Sequence, residues 1–566
     1  MKKRVIASLK SALEKLDINL SEEELNSMVE IPQNTEMGDF AFPCFQLARQ
    51  KKMPPFEIAL QIRKEIGNAP EGFQSVQTQG PYINFFLDRK AVALNLIAEI
   101  KKQKQNFGKN IQGKGQITMI ESPSPNSNKP LHIGHLRNMS LGESVARILE
   151  SNGEKLIRAN LNNDRGAHIC KSMLAYQKWG KNKKPSKKLK SDKLVGDFYV
   201  LFAKKSTDKL EHDAHEMLAK WEQGDKEVVA LWKKITKWAL DGQKETYKKF
   251  GITHDKEYFE SEIYDKGKDI VLEGVKNKVF IQEEDGAVYV DLTNEKLDKK
   301  YLLRSDGTTI YMTQDIYLAK KKLEEFKLTK SIYLTGNEQN YHFQALFSIL
   351  EKLGFSEKEK LFHLSYGMLS LPGGKIKSRE GKTADADDII EEVQKLAAKE
   401  LSSRGKLSKK ELEKRSLVVA LAAIKYWLLK LDRKKDTVFN PKESLNFEGD
   451  TGPYLLYSYA RANSILKKAK PKQKKILLGE LEKSEIELIS KLNSFPELVE
   501  KAYRTLNPAV IANYSFELAQ IFNEFYHACP VIGSEKEFFR LRLVECFKQV
   551  LSNSLTLLGI ETLEKM

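Results

Sequence analysis

Apolar positions along the chain follow three successive regimes. Over roughly the first hundred residues they mix helical and strand periods. Residues 2–16 and 56–66 carry the spacing of amphipathic helices, the second entered by Pro54-Pro55, whereas 38–42 and 82–86 alternate apolar and polar like strands. A further helix from Ala91 runs into Lys101-Lys102-Gln103-Lys104-Gln105, a lysine-rich link that marks a boundary. From about 115 the rhythm becomes strand, Pro/Ser/Asn-rich loop and amphipathic helix, as in a parallel sheet with crossover helices. It predicts strands at 116–120, 155–160, 287–291, 310–313 and 331–335, a helix at 133–151, and a mostly polar helical insertion at about 172–250. From about 385 the pattern is entirely helical, with long stretches at 409–432, 451–469, 478–491, 508–527 and 535–558. The pattern therefore predicts an α/β protein in four parts. These are a small α+β domain over 1–105, a parallel-sheet domain over 106–384, a helical connecting region over 385–450 and an all-helical domain over 451–566.

Composition narrows the class. Hydrophobic residues make up 41 % of the 566 positions and charged residues 30 %, which supplies a large core and excludes a disordered chain. The greasiest run, 416–431, is cut by Lys425 and is too short to span ~30 Å of hydrocarbon, so no membrane partner is expected. Cys44, Cys170, Cys529 and Cys546 are scattered without a metal-ligand or disulfide spacing. Lys10, Glu14, Lys15 and Asp17 interrupt any apolar signal after the basic start, making a cytoplasmic location the expectation. The net charge of +17 fits an anionic partner, nucleic acid first.

One segment concentrates the chemistry: Glu121-Ser-Pro-Ser-Pro-Asn126-Ser-Asn-Lys129-Pro-Leu-His132-Ile-Gly134-His135. A strand ends at Glu121, turn residues follow, and a helix begins near Ile133, placing His132 and His135 at a helix N-terminus that favours phosphate. Gly134 lets a flat base approach the backbone, and imidazoles donating to an α-phosphate stabilise charge building in a pentavalent transition state. Farther on, Gly373-Gly-Lys375-Ile-Lys377-Ser-Arg379-Glu-Gly381 offers three cations between glycines, suited to closing over a departing pyrophosphate.

These two motifs resemble the hallmarks of class I aminoacyl-tRNA synthetases, and the surrounding text resembles the arginyl-tRNA synthetase family. The supporting stretches are residues 124–138, Asp306-Gly-Thr-Thr-Ile-Tyr311, Gly336-Asn-Glu-Gln-Asn-Tyr-His-Phe343 and Gly452-Pro-Tyr-Leu-Leu-Tyr-Ser-Tyr-Ala-Arg461, with Gly38-Asp-Phe-Ala-Phe-Pro43 matching the family's added N-terminal domain. The resemblance implies a Rossmann-type catalytic domain, a small N-terminal α+β domain that binds tRNA and a helical anticodon-binding domain. It implies ATP with Mg2+, L-arginine and tRNA(Arg) as substrates, no resident metal, and a monomer. By the same resemblance Tyr311 and Asp315 grip the arginine side chain, with Asp315 the guanidinium acceptor. Gln339, Ser124, Asn126 and Glu121 also contact arginine. Gly336, His342 and residues 365–369 wall the nucleotide opposite His132, Gly134 and His135. Asn160, Asp164 and Gly166 match a strand-end block near the site, where Asp164 is expected to be a helix N-cap.

Some positions depart from the family spelling: Asn163, Arg165, Gln314, Glu338 and Asn340, and Ser378 where the basic loop usually has a second lysine. Lys129 is expected to supply that missing cation alongside Lys375, Lys377 and Arg379. The lysine runs at 178–193 and 467–475, and Tyr454, Tyr457, Tyr459, Tyr514, Phe525 and Tyr526 among the last helices, are candidate RNA contacts.

Overall fold

The computed structural model describes residues 1–32, 37–355, 357–372, 385–469 and 476–566. The chain forms two compact units, one of residues 1–104, 468–493 and 521–547, the other of 105–467, 494–520 and 548–566.

In the first unit, β1 (Phe40–Pro43), β2 (Phe73–Gln79) and β3 (Tyr82–Leu87) form an antiparallel sheet in the order β1-β3-β2. Alternation along these strands turns Phe42, Val76, Ile83 and Phe85 inward, onto Val5, Leu9 and Leu13 of the helix Lys2–Glu14 and Ile58 and Ile62 of Pro55–Ile66. Within its C-terminal pieces the carboxylate of Glu485 is fully buried but accepts from Arg540 Nε at 2.7 Å and Lys536 Nζ at 3.2 Å. Phe522 stacks on Phe547 at 3.6 Å.

The second unit is built on a five-stranded, all-parallel sheet in the order β11-β10-β4-β5-β6. Its strands are β4 (Ile117–Glu121), β5 (Lys155–Asn162), β6 (Lys256–Phe259), β10 (Lys330–Tyr333) and β11 (Leu361–His363). The chain steps from β4 outward to β5 and β6, then returns to the other side of β4 for β10 and β11. The crevice beyond the carboxyl ends of β4 and β10 is thus a topological switch point, where ligands bind in such sheets. The helices Ala167–Trp179, Ser191–Lys205, Asp208–Glu222 and Lys226–Phe250 intervene between β5 and β6, filling the predicted insertion.

Two predicted strands differ. Residues 287–291 do not join the parallel sheet: β8 (Val288–Val290) lies between β7 (Ile281–Gln282) and β9 (Lys300–Leu303) in a separate antiparallel sheet. Residues 310–313 start the helix Tyr311–Phe326, with Ile310 extended as its N-cap. Met312, Ile316 and Ala319 are buried at helical spacing, and four residues of β-rich sequence cannot distinguish a strand from a helix start. The last third is not purely helical either, since Thr437–Val438 pairs with Leu369–Ser370. Of the six C-terminal aromatics, Tyr459, Tyr514 and Phe525 are buried, while Tyr526 is exposed. Among the described residues no helix is long and apolar enough to cross a membrane.

Candidate active site

The loop leaving β4 is pinned on every side. Ser124 takes a left-handed conformation (φ 52°), rare for a residue with a Cβ. Its N–H donates to Asn160 Oδ1 at 3.0 Å, its carbonyl accepts from Asn163 Nδ2 at 3.0 Å, its Oγ donates to Glu121 Oε1 at 3.2 Å, and the same Oγ accepts from Leu161 N–H at 3.2 Å. The other oxygen of Glu121 pairs with Lys322, which is almost wholly buried. Both carboxylate oxygens of Glu121 are therefore committed to protein partners. Gln243, from the insertion, donates at 3.0 Å to the carbonyls of both Asn126 and Lys129. Asp164 is not a helix cap: Gly166 holds that position, and the buried Asp164 carboxylate accepts from Ser261 N–H at 2.9 Å and Oγ at 2.8 Å. Two residues that depart from the family spelling have structural partners. Asn163 ties β5 to the Ser124 loop, and Arg165 pairs with Glu222 and lies 4.1 Å over the Tyr264 ring.

The loop delivers His132 as the N-cap of the helix Ile133–Ser151. Its Nδ1 accepts from Gly134 N–H at 3.1 Å, and His135 Nδ1 accepts from His132 N–H at 3.0 Å, so the two imidazoles cap the helix reciprocally with ring centroids 3.9 Å apart. Burial, reinforced by the charge of Lys129, lowers His132 to about 4 and holds His135 well below its ordinary value. Both rings are neutral at pH 7. With each Nδ1 an acceptor, the single ring proton sits on Nε2, the atom that faces away from the helix end. The site thus presents two pre-oriented neutral N–H donors beside a helix N-terminus. A Cβ at Gly134 would come within 3.0 Å of the His132 ring.

Two residues of the same helix, unassigned by sequence, tie it to the segments that follow β10 and β11. Arg137, 1 % exposed, donates to the carbonyls of Gly367 at 2.8 Å, Met368 at 3.2 Å, Arg433 at 3.1 Å and Lys435 at 2.9 Å. Asn138 donates to Leu334 O at 2.7 Å. Gly336 bridges Tyr366, which joins the turn after β10 to residues 365–369.

Tyr311 and Asp315 lie one turn apart on Tyr311–Phe326, and the Tyr311 ring is largely exposed. Gln339, exposed, ends the turn that follows Gly336. His342 brings Nε2 to 2.7 Å from Asp315 Oδ2. A residue missed by sequence joins this group: Glu260, at the end of β6, is 5 % exposed. Burial, together with the neighbouring charges of Asp164 and Asp315, pushes its carboxyl up to about 7 despite the opposing charge of Arg165. Tyr311 in turn feels the charge of Glu260. The alternation of Lys256–Phe259 was the available signal for an acid at a strand end, but four residues in a polar context do not stand out. Asp315 and Glu260 make this pocket acidic, as a planar cation requires.

Lys375, Lys377 and Arg379 lie outside the described residues. Lys129 stands close enough to perturb His132, His135 and His168 alike. It also lines a cavity of about 840 Å³ beside the insertion, together with Trp179, Lys181, Lys183, Lys193 and Lys204 and the acids Asp197, Asp385 and Asp388, the last two paired with Lys193. The one cluster of potential metal ligands among the described residues, His212, Asp213 and Glu216, sits on the surface of the insertion, where Asp213 pairs with Lys178.

A parallel sheet with its switch point at a histidine-capped helix is the arrangement expected of a class I aminoacyl-tRNA synthetase, and the comparisons with known proteins show that class. Residues 96–441 match the family model for the class I (R) tRNA synthetase catalytic domain, 455–566 the DALR anticodon binding domain and 3–87 the arginyl tRNA synthetase N terminal domain. The arginine–tRNA ligase of Treponema denticola is 46 % identical over 96 % of this chain and 95 % of its own, and that of Borrelia duttonii 40 % identical over the whole of both. The solved arginyl-tRNA synthetase of Thermus thermophilus superposes with a TM-score of 0.83 at 25 % identity, covering both chains fully. The Plasmodium falciparum enzyme, at 21 % identity and a TM-score of 0.79, shares the fold. The chain belongs to the arginine–tRNA ligase family.

Proposed function

We propose that the chain activates L-arginine with ATP to arginyl-adenylate, releasing pyrophosphate, and transfers the arginyl group to the terminal ribose of tRNA(Arg), releasing AMP. The observation that carries this reading is that the chain holds both two neutral Nε2–H donors at a helix N-terminus and a pair of neighbouring acids, Asp315 and Glu260. His132 and His135 donate to the α-phosphate as charge accumulates on it. The carboxylate of arginine attacks phosphorus, and pyrophosphate departs with its Mg2+, which enters as part of the ATP complex. Lys129, Lys375, Lys377 and Arg379 neutralise the leaving group. Asp315 and Glu260 take the guanidinium, Tyr311 packs against it, and Gln339, Ser124 and Asn126 position the rest of the amino acid. Gly134 and Gly336 line the adenosine. Glu121, tied to Lys322 and Ser124, acts on the substrate by fixing Ser124. Residues 1–105 and 451–566 hold the tRNA, and the protein works as a cytoplasmic monomer.

Aminoacylation of bulk tRNA with each standard amino acid tests the reading. Charging by arginine alone is expected, with pyrophosphate exchange measured with and without tRNA. Charging by another amino acid would overturn the roles of Asp315 and Glu260.

The cavity beside Lys129 and the insertion is the proposed path of the tRNA acceptor end: Asp385 and Asp388 pair with Lys193, and Lys129, Lys181, Lys183 and Lys204 outnumber the remaining acid, Asp197, so that with Trp179 they suit a single-stranded polyanion with stackable bases. Replacing Lys181, Lys183 and Lys204 together by alanine is expected to raise KM for tRNA about tenfold at low salt, with a smaller effect as salt rises. KM values for ATP and arginine in the exchange reaction should stay within about twofold. An unchanged KM for tRNA would remove the cavity from the path.

A further inference from the structure

We infer that His342 is a positioning residue for arginine, holding Asp315 in the orientation that accepts the guanidinium, and that it is not part of the nucleotide wall. The inference rests on the proposed role of Asp315. A carboxylate can only accept, so the 2.7 Å contact with Asp315 Oδ2 requires the proton on His342 Nε2. That bond fixes the plane of the carboxylate and leaves Oδ1 for the ligand. Fixing matters because a guanidinium is a rigid planar fork, and a freely rotating carboxylate meets it in plane only part of the time. Asp315 and His342 are each about a third exposed at the side chain, which leaves one face of the pair open to the pocket.

The histidine is itself held from behind. It is the third residue of the helix Asn340–Lys352, and its ring packs edge-on against Phe343 at 5.6 Å. Phe343 stacks on His363 at 4.5 Å, and His363 Nε2 lies 2.8 Å from Thr335 Oγ1 at the end of β10. Burial and the nearby His342 lower His363 to about 4, so this supporting ring is neutral. A continuous run of packed groups therefore leads from the strand ends to Asp315, and His342 is its last member. Its Nε2–H, taken by Asp315, is not available as a donor to a nucleotide.

The test is steady-state exchange with the full chain, tRNA present, comparing His342→Ala, His342→Gln and wild type. For His342→Ala, KM for arginine is expected to rise about tenfold, the size of one hydrogen bond to a charged acceptor, while KM for ATP and kcat move less than about twofold. His342→Gln, whose amide N–H can reach the same carboxylate oxygen, should recover most of the loss. A rise in KM for ATP with arginine unaffected would return His342 to the nucleotide wall. Equal losses in both variants would show a merely structural role. Failure of the wild type to activate arginine would instead strike at the role of Asp315.

Discussion

Replacing His135 by alanine is expected to slow arginyl-adenylate formation about 10²- to 10³-fold, the loss that accompanies removal of one pre-oriented donor from a developing oxyanion. KM for arginine should change little, because the proposed role of the ring is at the phosphate and not at the guanidinium. His135→Gln, which carries an N–H at nearly the position of Nε2, should regain a measurable part of the rate. The pH dependence provides a second check. Since His132 is lowered to about 4 and His135 lies well below its ordinary value, neither ring gains a proton between pH 8 and pH 5. The acidic decline of the single-turnover rate should then be unchanged by either His→Gln variant. The stability linkage has a definite sign. The unfolded chain takes up protons on these histidines near 6.5 and the folded chain does not, so they contribute stability above that value and withdraw it as pH falls towards 4.

The second large effect is at the guanidinium. Asp315→Asn is expected to lower kcat/KM for arginine about 10³-fold, because it deprives a desolvated cation of its counter-charge. Glu260 adds a pH signature. Its carboxyl is raised to about 7 in the free protein, mainly by burial, so a substantial fraction is protonated at neutral pH. Arginine binding favours the ionised form and expels that proton. Affinity should therefore climb about tenfold per pH unit below 7 and level off above it, and Glu260→Gln should flatten the climb. In the free protein the same shift acts oppositely on stability: the folded form holds the proton up to about 7 while the unfolded form releases it near 4.5, so stability falls as pH rises through that window. Isothermal titration with arginine across pH 6–8 measures the first effect, and urea melts over pH 4–8 the second.

Local pattern carried most of the fold. The parallel-sheet core, the insertion and the position of the histidine pair follow from turn residues and helical spacing near 121–135, because backbone chemistry there is local. Residues 287–291 and 310–313 differ from the pattern's prediction because a short β-rich run does not state its partner: Val288 pairs with Leu303, and Met312 is buried within a helix. The candidate site divides the same way. His132 and His135 stand in a motif whose spacing can be read, whereas the roles expected of Tyr311 and Asp315 come from the family resemblance. Glu260, Lys322, Arg137 and Gln243 act on residues far away in sequence, through burial and long-range hydrogen bonds that no periodicity encodes.

The reach of Arg137 has a consequence for synthesis on the ribosome. Its guanidinium finds its last acceptor, the carbonyl of Lys435, 298 residues downstream. At about 5–20 residues per second, roughly 15–60 s separate the emergence of this buried cation from that of the carbonyl that completes its set. During that interval the nascent chain holds a helix with a charge in its first turns, Arg137, that must stay hydrated. The final packing of this helix, and with it the closing of the crevice, is therefore expected late in translation, as a concluding step and not as an early nucleus.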